Sequence, residues 1–251
     1  MQPRSSRKEK IYIYGKHALE EALMSAPAAV KKAFLARTLP EAAALRRALE
    51  KHRIPVAELA VGTAGSMVGR DAAHQGVIAI VEPAELMRPL DDFLATLDRA
   101  ASPAIAILAE LQDPGNVGAI IRSAAALGLA GVLIPKDRQA PITGAVVKAS
   151  AGMAFRIPLV EIGNVNAALE TLKKSGFWVY GLAMEGAPLA AERFDRPTAF
   201  VIGNEGEGLR RVTRETCDQL LAIPMRSGAE SLNAAVSASI AFYEWSRGRA
   251  L

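Results

Sequence analysis

From Pro103 onward the apolar residues fall in short unbroken runs: AIAILAE (104–110), GVLIP (131–135), FWVYGLA (177–183), TAFVIG (198–203) and QLLAIP (219–224). Runs without polar alternation suit strands covered on both faces, so they predict an α/β architecture with a parallel sheet between helices. The segments between them supply those helices: GNVGAIIRSAAALG, ITGAVVKASAG, NVNAALETLKKSG and a final ESLNAAVSASIAFYEWSR. The first part of the chain has a different grammar. Residues 11–83 predict a small α/β unit that starts at IYIYGKHALEEAL, continues through KKAFLA, the helix PEAAALRRALEKH and IPVAELA, and ends in the strand HQGVIAIVE. Residues 84–102, AELMRPLDDFLATLDRAAS, carry a proline break and a polar amphipathic segment and are expected to be a linker, leaving 103–251 as the second domain.

Composition adds limits. The 251 residues are 51% hydrophobic, ample for a buried core. No apolar run approaches the ~20 residues of a membrane span, and no signal-type region follows the first ten residues, so a soluble cytoplasmic protein is expected. One cysteine, Cys217, and three scattered histidines, His17, His52 and His74, offer neither a disulfide nor a metal-ligand set. The net charge of +4 tilts the expected partner toward a polyanion. Arg4, Arg7, Lys8 and Lys10 crowd residues 1–10, either as a phosphate-gripping arm or as a solvated flexible tail. The helix with Arg46, Arg47, Lys51 and Arg53 has a basic face that is either solvated or ligand-bound. Aromatics at 5% argue against a protein that holds single strands mainly by base stacking.

In open parallel sheets, ligands sit beyond the carboxyl ends of the strands, which directs attention to three loops. The first, LQDPGNVG, enters a helix near Asn116, a residue suited to capping it or to holding a partner side chain. Farther along that helix, Arg122 has only Gly118, Ala119, Ala125 and Ala126 three and four positions away, so nothing on its own helix shields or pairs it. The second loop, GNEGEGLRR, places Gly203, Gly206 and Gly208 around Glu205, with glycines expected to press backbone against a flat ligand. Its G-x-x-G-x-G order differs from the dinucleotide fingerprint, and no lysine-bearing phosphate loop is present. The third, IPMRSGAESLN, brings Ser231 and Asn233 to a helix start, where capping alone explains them or where they close a pocket with Gly203 and the backbone from Ile223 to Met225.

These loops together, DPGNVGAIIRSAAALG, FVIGNEGEGLRR and IPMRSGAESLNAAVSA, resemble the three motifs of the SpoU, or TrmH-like, branch of the SPOUT RNA methyltransferases, over residues 103–251. YGKHALEEAL and HQGVIAIVE are similar to the small RNA-binding substrate domain that precedes the knot in bacterial ribosomal RNA ribose methyltransferases. The resemblance implies a C-terminal trefoil knot that binds S-adenosylmethionine, an exception to the near absence of knots. It also implies methyl transfer to the ribose 2'-hydroxyl of a guanosine in large-subunit ribosomal RNA, with transfer RNA as the alternative substrate. It assigns catalytic parts to Asn116, Arg122, Glu205, Ser231 and Asn233, and cofactor contacts to Gly203, Ile223, Met225 and Leu232. Ala234 and Ala235 depart from the valine and serine of many relatives. The resemblance further implies a homodimer with sites at the interface; a seam through Ala234, Ala235, Ala238 and Ala241 is expected, although internal packing would explain the same alanines. Arg122 is expected either to accept the hydroxyl proton or to stabilise the developing alkoxide, the first being awkward for a strongly basic guanidinium that holds its proton. Two rivals are set against this reading: an RNA-gripping scaffold without catalysis, which the motif residues disfavour, and a nicotinamide-dependent enzyme, which the glycine order disfavours.

Overall fold

The computed structural model describes residues 10–40, 42–60, 62–69, 72–226, 231–247 and 249. The basic residues Arg4, Arg7 and Lys8 lie outside them. Two compact units emerge: one of residues 1–87 with 142–156, the other of 88–141 with 157–251.

The first unit is built on β1 (Ile11–Tyr14), α1 (Lys16–Ser25), β2 (Val30–Leu35), α2 (Ala42–Lys51), β3 (Val56–Glu58), α3 (Ala64–Val68) and β4 (Val77–Val81). Its sheet order is β1-β4-β2-β3, with β4 antiparallel to both neighbours and β2 parallel to β3. On α2, Leu45 and Leu49 are buried while Arg46, Arg47, Lys51 and the following Arg53 are exposed, so a one-sided apolar stripe leaves a cationic face outward. Residues 142–156, which interrupt the second unit in sequence, belong here in space. A side chain at Gly144 would meet the Tyr12 carbonyl at 2.1 Å, so only glycine allows that approach. The Lys148 ammonium stands 5.2 Å from the Tyr14 ring centroid, and Arg156 makes a two-pronged ion pair with Glu21 at 2.5 and 2.7 Å.

The second unit contains β5 (Met87–Pro89), α4 (Leu90–Ala95), β6 (Ala104–Leu108), α5 (Pro114–Ala126) and β7 (Gly131–Pro135). After α6 (Gly144–Ala149), which belongs to the first unit, come β8 (Leu159–Ile162), α7 (Val165–Lys174), β9 (Trp178–Pro188), β10 (Thr198–Ile202), α8 (Arg211–Thr216), β11 (Gln219–Ala222) and α9 (Ala234–Ser246). The sheet runs β11-β9-β10-β6-β7-β8-β5, and each of the described pairings from β6 to β11 is parallel. Every residue of β6, β7 and β10 is buried, as strands with both faces covered require. The segment read as a linker contributes β5 at the sheet edge and α4, whose Phe93 is 1% exposed and sits in the core with Leu133 and Val160.

Two features of this unit set the position of α9. Phe242 on α9 is fully buried 5.8 Å from Phe200 of β10, and Phe200 in turn packs against Tyr180 and Phe194. Edge-to-face and offset aromatic pairs of this kind add about 1 kcal/mol each beyond their buried area. Ala235, Ala238 and Ala241 are buried within the chain, and the Ser239 and Ser123 hydroxyls meet at 2.7 Å between α9 and α5. These three alanines are therefore internal packing rather than a seam: small side chains let the two helices approach closely. The outward face of α9 instead carries Val236 (46% exposed), Ile240 (37%) and Tyr243 (58%).

Candidate active site

The helix α5 begins one residue after Asp113, whose carboxylate accepts from the Gly115 amide at 2.8 Å, with Pro114 in the first turn. Aspartate then proline is a favoured helix start, worth about 1 kcal/mol over alanine at the cap. The cap is thus Asp113, not Asn116. Asn116, inside the first turn and only 9% exposed, is left with its amide free to bind elsewhere.

It does so on both sides. Asn116 Nδ2 donates to Glu205 Oε1 at 3.0 Å, and Asn116 Oδ1 accepts from Asn233 Nδ2 at 2.8 Å. Asn233 uses its other atom to cap α9, its Oδ1 accepting from the Ala235 and Val236 amides at 2.9 and 3.2 Å. Asn233 thus caps its helix and holds a partner side chain at once. Glu205 also accepts from the Gln112 and Asp113 amides at 3.4 and 3.3 Å. Three loops separated widely in sequence are joined by this relay.

Burial pushes the Glu205 pKa up, but the Asn116 and backbone hydrogen bonds outweigh it and hold the carboxyl below its ordinary 4.5. Because the folded value is depressed, the relay's stabilisation is present above the unfolded pKa and is lost as pH falls through the folded one. Thermal unfolding of wild type should therefore lose more stability than Glu205→Gln does as pH falls from about 5 to about 3; parallel pH profiles would show that this carboxylate contributes nothing through its ionisation.

A cavity of about 460 Å³ opens beside the relay, lined by Leu182, Gly203, Glu205, Ile223, Met225, Ser231 and Leu232 among others. Each of the four positions assigned to a cofactor is on its wall, together with two of the assigned catalytic residues. The Gly203 backbone shows why: a Cβ there would lie 2.4 Å from the Gly208 carbon and 2.6 Å from the Leu209 nitrogen. The turn folds back on itself, closed by paired Asn204 and Gly208 hydrogen bonds at 3.0 Å, and Gly208 takes φ +68. Glycine at 203 and 208 is thus demanded by the turn's own closure, which shapes the wall. The Asn204 side chain fixes it further, donating to the Glu110 carbonyl at 2.8 Å and accepting from Gly206 at 2.9 Å.

Arg122 stands apart. It is exposed, makes no hydrogen bond or ion pair among the described residues, and lines neither this cavity nor the groove formed by Asn116, Ala119, Asn233, Val236, Ile240 and Tyr243. Sequence reasoning missed three polar residues at the strand ends, Glu110, Glu207 and Arg210. Glu110 takes φ +66 and pairs with Arg210 at 2.7 Å. The repeated carboxylate in GNEGEG was the available signal for Glu207.

Residues 103–243 match the SpoU rRNA Methylase family, and residues 12–87 match the family described as RNA 2'-O ribose methyltransferase substrate binding. The chain is 36% identical to the 23S rRNA (guanosine-2'-O-)-methyltransferase RlmB of Escherichia coli K12, over 94% of this chain and 98% of that one. The same enzyme of Pseudomonas syringae pv. tomato is also 36% identical, over 94% and 95%. Among solved structures, the SpoU methyltransferase AviRb of Streptomyces viridochromogenes, in complex with AdoMet, superposes with a TM-score of 0.81 at 28% identity, covering 97% of this chain and 92% of that one. The parallel sheet, the three joined loops and these matches over nearly the whole length agree, and the chain belongs to the SpoU rRNA methylase family.

Proposed function

We propose that the protein transfers a methyl group from S-adenosylmethionine to the ribose 2'-hydroxyl of a guanosine in 23S ribosomal RNA, in the cytoplasm. The observation that carries the reading is the hydrogen-bonded run Asn233–Asn116–Glu205, whose last member lines the 460 Å³ cavity. The cavity suits the donor's chemistry. Leu182, Leu221, Ile223 and Leu232 give apolar walls for a flat base, and Glu185, paired with Arg214, and Glu205, held by Asn116, make the polar rim. When bound, the donor supplies an electrophilic methyl on a sulfonium. The chain's own residues do the rest. Gly203, Ile223, Met225 and Leu232 hold the ligand against the turn, and the relay fixes the first turn of α5 so that the ribose meets it in a single orientation.

Glu205 is a poor proton acceptor, because its oxygens already receive three donors and its pKa is lowered. Its part is to position Asn116 and the 112–113 amides. Proton removal from the hydroxyl, or stabilisation of the alkoxide that follows, falls to Arg122, with Ser231 at the cavity wall.

Arg122 reaches that chemistry in a homodimer. Val236, Ile240 and Tyr243, an apolar exposed row beside Asn233, are the surface a second copy covers. RNA is the polymeric partner, bound in part through the first unit. No helix among the described residues is long and apolar enough to cross a membrane. The decisive experiment combines three readings. Calorimetry should show S-adenosylmethionine bound and NAD not, sedimentation should give twice the chain mass, and ribose-methylation mapping of ribosomal RNA from a deletion strain should lose one mark. Survival of every mark with loss of one in transfer RNA would move the substrate assignment.

A further inference from the structure

A second cleft, larger than the first at about 900 Å³, opens past the carboxyl ends of β6, β7 and β8, lined by Glu110, Asp137, Arg138, Asn164, Glu207 and Arg210 among others. From β6 the chain proceeds through β7 to β8 on one side and places β10 on the other, so the cleft adjoins the switch point where such sheets bind nucleotides. Its wall is shared with the donor cavity: Asn204, Glu207 and Gly208 line both. Any ligand in the larger cleft is therefore one turn of backbone away from the methyl donor.

The polar groups there are mixed rather than uniformly basic, which fits a base edge better than a phosphate. The Glu207 carboxylate is exposed and makes no hydrogen bond or ion pair among the described residues, unlike Glu205 in the same turn. Arg210 is held by Glu110 at 2.7 Å, and Arg138 lies 3.9 Å from the same carboxylate with its side chain 66% exposed, leaving donors unspent. A free carboxylate together with guanidinium donors complements one base in particular. Guanine presents two adjacent donors, N1–H and the N2 amino group, to a carboxylate, and acceptors O6 and N7 to arginine. Adenine offers no such donor pair.

We propose that this cleft reads the target guanine, with Glu207 accepting from N1–H and N2–H while the 204–208 turn holds the attached ribose beside the donor cavity. The proposal rests on the ribose methyltransferase reading and adds to it the residue that selects the base. The test uses wild type and Glu207→Gln on a ribosomal RNA transcript whose target guanosine, mapped first with wild type, is kept or replaced by inosine, which lacks the N2 amino group. Wild type should lose about tenfold in kcat/KM on inosine, the scale of one contact in a base-reading pair. Glu207→Gln should be slowed on guanosine and treat the two transcripts alike, since the amide cannot accept both donors. An inosine penalty of the same size in both proteins, or none in wild type, overturns the proposal. S-adenosylmethionine affinity of the variant, read by calorimetry, reports whether the shared turn is intact, and wild-type turnover on the guanosine transcript tests the parent reading separately.

Discussion

Arg122→Ala should abolish methyl transfer, lowering kcat by at least about a hundredfold, while S-adenosylmethionine affinity stays within about twofold of wild type. The size follows from removing a single preorganised donor to developing oxyanion charge, which costs about 10²–10³ in rate. The selectivity follows from position: the side chain is exposed on α5 and touches no wall of the donor cavity. Since it has no partner among the described residues, its loss leaves no buried charge or orphaned carboxylate among them, and stability should hardly change. Single-turnover kinetics and calorimetry on the same preparation check both halves, and retained turnover refutes the role. Arg122→Lys separates the two chemistries. Lysine keeps the charge but gives up its proton far more readily than a guanidinium does. A rate rising steeply with pH toward 10 in that variant marks proton acceptance; a flat profile marks charge stabilisation.

The second large effect is expected at Gly203. Alanine there must drive the 208–209 backbone away by several tenths of an ångström, because the intruded atoms are main chain and not a flexible tip. Overpacking of this kind costs about 3 kcal/mol, which for a chain of this size lowers Tm by roughly 6–12 °C. The turn is at once a wall of the donor cavity and a wall of the larger cleft, so donor affinity should fall together with stability. Thermal unfolding and calorimetry measure the two. Unchanged Tm with weakened donor binding would assign the glycine to the ligand alone, against its packing role.

How far the sequence discloses the molecule depends on whether the relevant interactions are local. The apolar runs announce β6, β7, β9, β10 and β11 because each is long and uninterrupted. They do not announce β8, four residues with exposed Glu161 among them, or α8, RVTRET, whose single buried residue, Thr213, makes no periodic pattern. The Asp-Pro start of α5 is a local signal that the more conspicuous Asn116 obscures. The site's residue types were legible one by one, yet their connection was not. Asn116 meets Glu205 across 89 positions and Asn233 across 117, and no pattern of spacing encodes a hydrogen bond at that range. Likewise, the placement of 142–156 with the first unit depends on a glycine against a distant carbonyl, invisible to any window of sequence.

In the proposed dimer the amide of Asn116 is a splice between two binding events. One of its ends is tied to the turn that walls both cavities, the other to the cap of α9, where the exposed apolar row begins. Under the proposed function, filling either cavity should restrict the turn and covering the row in a dimer should restrict the cap, so donor titrations with and without nucleic acid should show each favouring the other. By linkage the favour is mutual: whatever factor the methyl donor adds to the affinity for nucleic acid, nucleic acid must add to the affinity for the donor.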